Sequence, residues 1–181
     1  MSELQRFVPV DQDTLAGILY RVGHWMIHID DTDIEEISEK IEEEQMFAIL
    51  TKVAKSPKAG PLVCEMAAEA LRQKLSWPRW AADDVDALEE VGKACRIIKS
   101  QGTRDEFVMF SKAVMMLATG VARAVREDTE HGQKDEGYFS WLSEKAGNVV
   151  LALTDGEAHK DMNISPAEDS ALNELLGILK A

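Results

Sequence analysis

Cysteine is scarce in this sequence, with two residues in 181, Cys64 and Cys95, and no CxxC spacing. This scarcity argues against a disulfide-stapled scaffold or a cysteine-rich zinc site, and it indicates free thiols in a reducing compartment. A basic and apolar leader ending in small residues is also missing from the start of the sequence. We therefore expect a cytoplasmic protein without a secretory signal.

Motifs tied to a known reaction are missing as well. The sequence contains no GxSxG, P-loop or GxGxxG motif, and its four histidines and two cysteines form no convincing nucleophile and base pair. We therefore expect a protein that is not an enzyme. An enzyme that uses His24 or His28 stays open as an alternative.

Basic residues are outnumbered by acidic ones. Lysine and arginine total 20 against 33 aspartates and glutamates, which gives a formal net charge of −13. Because such a surface repels phosphate backbones, we expect no nucleic-acid partner. Residues 30–44 hold nine of the acids and a single lysine. This concentration favours a divalent cation or a basic protein partner, and it is also typical of a solvated helix face.

Strand-like alternation is nearly absent, and apolar residues recur at helical spacing almost throughout. We predict one all-α domain over residues 1–181, a compact bundle of about seven helices joined by short loops. The longest apolar stretch, residues 107–125, carries Lys112 and Arg123. It therefore predicts a central core helix and no transmembrane segment.

Several helix boundaries can be placed from local signals. Pro61 suits the first turn of a helix whose apolar stripe extends to Leu75 and which Trp77-Pro78 should end. Capping boxes at Thr103-x-x-Glu106 and Ser165-x-x-Glu168 should open two further helices.

Two other features need an interpretation. The WPRW sequence at residues 77–80 predicts a loop that two tryptophans anchor on the core, with an exposed partner-binding patch as the alternative. Downstream of the acidic run the apolar stripe changes phase, which predicts a bend or break near residues 42–46.

Two segments of the chain resemble each other. Gly23-x6-DDTD aligns with Gly120-x6-EDTE, and Glu44-x2-Phe47 aligns with Glu136-x2-Phe139 if the first copy carries a five-residue insertion. The alignment predicts two pseudo-repeats of helix, acidic loop and helix, at residues 15–55 and 107–153.

His24 and His28 lie four residues apart and, with Asp31, share the helix face opposite Val22 and Met26. Two histidines and a carboxylate at this spacing are compatible with a zinc site, but the glutamate of the HExxH motif is missing. We interpret the histidines as solvent-facing residues, with the zinc site as the alternative.

The acidic loops are better metal candidates than the histidines. Calcium, magnesium and manganese prefer carboxylate oxygens, and zinc less so. The candidate ligands are Asp30, Asp31, Asp33, Glu44, Asp128 and Glu136. N-capping competes with metal binding as an explanation, because Thr32-x-x-Glu35 is itself a capping box and acids are favourable at the positive end of a helix dipole.

The acidic stretches HIDDTD and REDTE, with the ISPAE opening of the last helix, resemble the TerB-like tellurite-resistance proteins. The likeness covers roughly residues 15–55 and 105–181. It implies a compact, all-α, cytoplasmic bacterial protein with a role in chemical-stress or tellurite resistance. It also implies a divalent cation held by loop acids, whose matching positions are Asp30, Asp31, Glu44, Asp128 and Glu136.

Three hypotheses about function follow from the sequence. The first is a non-enzymatic, TerB-like stress-response protein that binds a divalent cation. The second is an interaction module, or a homo-oligomer, whose acidic face binds a basic partner. The third is an enzyme that uses His24 or His28.

Overall fold

The computed structural model describes residues 2–29, 36–82, 86–127 and 164–181. These residues form seven α-helices: α1 (Pro9–Ile27), α2 (Glu36–Lys55), α3 (Pro61–Arg72), α4 (Trp77–Trp80), α5 (Ala87–Gln101), α6 (Arg104–Glu127) and α7 (Pro166–Lys180). Short 3-10 turns at Leu4–Arg6, Pro57–Ala59 and Lys74–Ser76 precede α1, α3 and α4. None of the described ranges contains a strand, so the predicted all-α fold is confirmed.

Helices α1 and α6 form the centre of the bundle. α1 packs against α2, α3, α5 and α6, and α6 also contacts α2, α3, α5 and α7. Both helices contribute fully buried side chains to one core cluster, among them Leu15, Ile18, Phe110 and Met115. Since full burial of a side chain of this size contributes about 1.5–3 kcal/mol, these two helices supply a large part of the packing energy of the core.

The predicted core helix over residues 107–125 is the main part of α6. By length and composition, Arg104–Ala124 is the one helix in the described part of the chain that would suffice to cross a membrane. However, 67% of that stretch is buried inside the fold. Burial among neighbouring helices is the environment of a core helix, as predicted.

Side-chain caps set the beginnings of α6 and α7. The Glu168 backbone N–H donates to Ser165 Oγ at 3.2 Å, and the Ser165 N–H donates to the Glu168 carboxylate at 2.7 Å. Thr103 and Glu106 make the same reciprocal pair at the start of α6. Both predicted capping boxes are confirmed, and Pro61 lies in the first turn of α3 as expected.

Helix α3 ends earlier than predicted. It stops at Arg72, and Leu75 is 99% exposed instead of continuing the apolar stripe. The Trp77 indole Nε1 donates to the Ala70 carbonyl at 2.9 Å, which satisfies a group left open at the helix end. The chain then turns into α4, so the predicted end at Trp77-Pro78 is wrong: Pro78 lies in the first turn of a new helix.

Helix α2 also differs from the prediction, because it runs without interruption through residues 42–46. Its buried stripe is Met46, Ile49, Leu50 and Val53, and the Phe47 side chain is 40% exposed. These four buried residues are spaced by three and four, so they share one face of an unbroken helix. The predicted break is therefore wrong, and Phe47 reaches the surface.

Helix α4, the WPRW segment at residues 77–80, docks on α1. Trp80 is 1% exposed, and Trp77 is half-buried against the core. A Cβ atom added at Gly17 would lie 2.8 Å from the Trp80 ring, so the indole lies directly on the α1 backbone. Arg79 pairs with Asp13 of α1 at 2.6 Å. The interpretation that two tryptophans anchor this segment on the core is confirmed, but the segment is the short helix α4 and not the predicted loop.

The pseudo-repeat stays a prediction. Helices α1 and α2 supply the two helices of the copy at residues 15–55. The structure describes the copy at residues 107–153 only as far as Glu127, and the rest lies outside the described residues.

Candidate functional site: the α1–α2 groove

A groove of about 370 Å³ opens at the surface between α1, α2 and α4, and we name it the α1–α2 groove. Eight residues line it: Tyr20, His24 and Ile27 of α1, Glu43, Glu44, Met46 and Phe47 of α2, and Trp77 of α4. It therefore combines two carboxylates, one imidazole and three larger aromatic rings in a small space.

Aromatic rings form a continuous row along one side of the groove. Trp77 stacks on Tyr20 with ring centroids 4.5 Å apart, and the Tyr20 and His24 rings lie 5.8 Å apart at a tilt. His28 continues the row by stacking on His24 at 4.2 Å. Because Tyr20, His24 and His28 are spaced by four residues, they lie above one another on the same face of α1.

The carboxylates come from the exposed face of α2. Glu43 and Glu44 are both exposed and line the groove opposite the ring row. Burial raises the pKa of Tyr20 above its ordinary value, and the nearby negative charge of Glu43 raises it further. The groove is therefore a partly desolvated site with a negative field, which favours a positively charged group.

A lysine of the protein itself already contacts this aromatic surface. Lys74 Nζ lies 4.2 Å from the centroid of the Phe47 ring and 5.5 Å from that of Trp77. Both distances are within the range of cation–π attraction. The rings at the edge of the groove are thus placed to receive a cation.

The structure confirms the predicted common face of the two histidines. Val22 and Met26 are buried on the opposite side of α1, and His28 is exposed. Its Nδ1 lies 2.8 Å from the His24 carbonyl oxygen. His24 is half-buried and lines the groove, so it is less solvent-facing than we expected.

Of the predicted metal ligands, the structure describes Glu44, which lines the groove. The other five, Asp30, Asp31, Asp33, Asp128 and Glu136, lie outside the described residues. Within the described ranges, no group of three His, Cys, Asp or Glu side chains is placed to hold a metal ion. The described donors His24, Glu43 and Glu44 therefore do not form a complete metal site by themselves.

The two cysteines are free, and neither lines the groove. Burial raises the pKa of both thiols, and Cys64 Sγ also donates to the Ser56 carbonyl at 3.0 Å. A raised pKa reduces the thiolate fraction near neutral pH, which disfavours nucleophilic chemistry at Cys64 or Cys95.

A second cavity, of about 410 Å³, lies beside the N-terminal segment and has a structural explanation. The Glu65 carboxylate at its wall accepts hydrogen bonds from Ser2 Oγ and from the backbone N–H groups of Glu3 and Leu4. This carboxylate fixes the first turn of the chain against α3. Its acceptor capacity is largely used within the protein.

Sequence reasoning identified the acidic residues and histidines of this region but missed the aromatic ones. The spacing of Tyr20, His24 and His28 was a detectable signal, because residues four apart share a helix face. The approach of Phe47 and Lys74 was not detectable, since it joins α2 to the turn after α3 and depends on tertiary packing.

Comparison of the chain with family models, with curated proteins and with solved structures finds no match in any of the three. The resemblance to TerB-like proteins therefore remains a prediction from short motifs.

The raised pKa of Tyr20 gives a direct test of the groove geometry. In a Y138F background, which removes the other tyrosine of the sequence, the ultraviolet absorbance of the phenolate should report Tyr20 alone. We expect the midpoint of the Tyr20 titration to lie above pH 10, the ordinary tyrosine pKa. In the E43Q variant the midpoint should fall but stay above that value, because burial is the larger cause.

The sign of the linked stability change follows from the same shift. Above about pH 10 the unfolded chain loses the Tyr20 proton while the folded chain retains it. The stability contribution of Tyr20 is thus present below that pH and lost as pH rises through the folded pKa. A midpoint at the ordinary value, or one that E43Q leaves unchanged, would contradict the described packing.

Proposed function

We propose that this is a non-enzymatic interaction protein whose α1–α2 groove binds a cationic segment of a protein partner. The observation that carries the proposal is the placement of Glu43 and Glu44 opposite a row of aromatic rings. Carboxylates and ring faces both attract ammonium and guanidinium groups, and the combination disfavours anions.

The charge of the whole chain supports the same kind of partner. The formal net charge is −13, and nine acids are concentrated in residues 30–44. Glu43 and Glu44 are the last two of these acids and lie about one helical turn after Lys40. A field of this sign accelerates encounter with a basic protein and opposes the close approach of a second acidic copy. We therefore favour a basic partner over a homo-oligomer.

The size of the groove also fits side chains better than a large cofactor. Its volume of about 370 Å³ is near the lower end for ligand sites, which range over roughly 300–1,000 Å³. Such a volume accommodates one or two long side chains of a docked segment. The exposed Phe47 in its lining offers apolar contact to neighbouring residues of that segment.

A hexaarginine peptide titrated calorimetrically into the protein tests this proposal. We expect binding that weakens as salt is raised, since exposed charges are screened. The double variant E43Q/E44Q should bind about three- to tenfold more weakly, because each exposed ion pair contributes about 0.2–1 kcal/mol.

A matched control is the double variant D105N/E174Q, which removes the same charge from exposed residues of α6 and α7 that do not line the groove. It should retain nearly all of the affinity. Equal losses in the two double variants, or no peptide binding at low salt, would refute binding at the groove.

A second candidate function is the divalent-cation binding that the TerB-like resemblance implies, with a role in chemical-stress or tellurite resistance. The observation in its favour is the position of Glu44. This carboxylate and His24 both line a groove bounded by α1 and α2, the two helices that residues 28–35 connect. The predicted ligands Asp30, Asp31 and Asp33 belong to that connection.

Calorimetry on chelator-treated protein tests the second candidate. If it holds, calcium, magnesium or manganese should bind with a dissociation constant below about 1 mM, the weak end for calcium modules. E44Q should weaken that binding, and E174Q should leave it unchanged. If none of these ions, nor zinc, binds below that limit, the metal function is excluded.

A further inference from the structure

Lys74 is the cation that the groove's aromatic surface contacts in this structure. It belongs to the 3-10 turn Lys74–Ser76, between α3 and α4, and its side chain is exposed. Its ammonium lies over the rings of Phe47 and Trp77, and none of the ion pairs within the described ranges involves it. Lys74 therefore uses the rings as its partner although Glu43 and Glu44 lie in the adjoining groove.

The rings are held in place more firmly than the lysine. Two contacts fix the Trp77 ring: its Nε1–H donates to the Ala70 carbonyl, and its face stacks on Tyr20. Phe47 projects from the middle of α2. Lys74, in contrast, is a long exposed side chain that loses rotamer freedom when it covers the rings. The ring surface is thus preformed, and its present cation is readily exchanged.

We propose that the face formed by Phe47 and Trp77 is a subsite for one arginine side chain of the basic partner segment, and that Lys74 fills this subsite in the free protein. The inference rests on the proposed binding of a basic segment at the groove. Binding then requires the displacement of Lys74, which makes this residue a built-in competitor.

Arginine is the better occupant for a physical reason. Its guanidinium is planar and more weakly hydrated than an ammonium, so it stacks on aromatic faces at a lower desolvation cost. The guanidinium at the subsite also lies next to the acidic groove, where Glu43 and Glu44 can accept its hydrogen bonds. The almost fully exposed Leu75 beside Lys74 would contact an apolar neighbour of that arginine.

The test compares two methionine substitutions that remove one positive charge each. K74M removes the competitor from the rings, and K40M removes a lysine of α2 that lies one turn before Glu44. With hexaarginine as the calorimetric probe, K74M should bind about two- to fivefold more tightly than K40M. In an F47L background, this advantage of K74M over K40M should disappear, because the shared ring is gone.

The outcomes separate the subsite from the proposed function. If the wild-type protein binds hexaarginine and K74M gains no more than K40M, the subsite is wrong and the groove proposal stands. If neither the wild-type protein nor K74M binds, both are wrong. Binding by K74M alone would likewise contradict the groove proposal, which requires the wild-type protein to bind, although it would show that Lys74 covers the ring face. If K74M binds hexalysine as tightly as hexaarginine, the proposed preference for arginine is wrong.

Discussion

The absence of side chains at two positions of α1 is the constraint on which the groove depends. At Gly17 the Trp80 indole lies on the helix backbone, and at Gly23 the Met46 side chain of α2 does the same. A Cβ atom at either position would occupy space that these side chains fill. Because core packing leaves few voids, the two close contacts set how near α4 and α2 can approach α1.

The lining of the groove follows from this approach. With Trp80 seated at Gly17, Trp77 of the same short helix meets Tyr20, nearly one turn further along α1. With Met46 seated at Gly23, the next residue, Phe47, emerges at the surface with Lys74 over its ring. The groove is the space left between these two contacts. Its rings are therefore positioned by the core, and a cationic ligand would meet a preorganised aromatic surface beside the exposed acids of α2.

Sequence patterns were sufficient where a local interaction decides the structure. The helical periodicity, the capping boxes at Thr103 and Ser165 and the buried character of α6 all depend on residues within a few turns of one another. The errors at Leu75 and at residues 42–46 arose where a distant contact decided instead. The Trp77 indole takes over the end of α3, and α2 buries Met46 against α1 while Phe47 stays at the surface. The aromatic part of the groove was not predicted for the same reason, since its residues come from α1, α2 and α4.

The most direct measurement of the central constraint is the free energy of unfolding of G17A compared with that of G177A. Gly177 lies within α7, where an added Cβ atom meets nothing within 4 Å. An alanine there should stabilise the protein by about 0.4–1 kcal/mol, as at other helical glycines that accept it. At Gly17 the Cβ atom must displace Trp80, so G17A should destabilise the protein by about 1–3 kcal/mol. Stabilisation of G17A to the same extent as G177A would contradict the account.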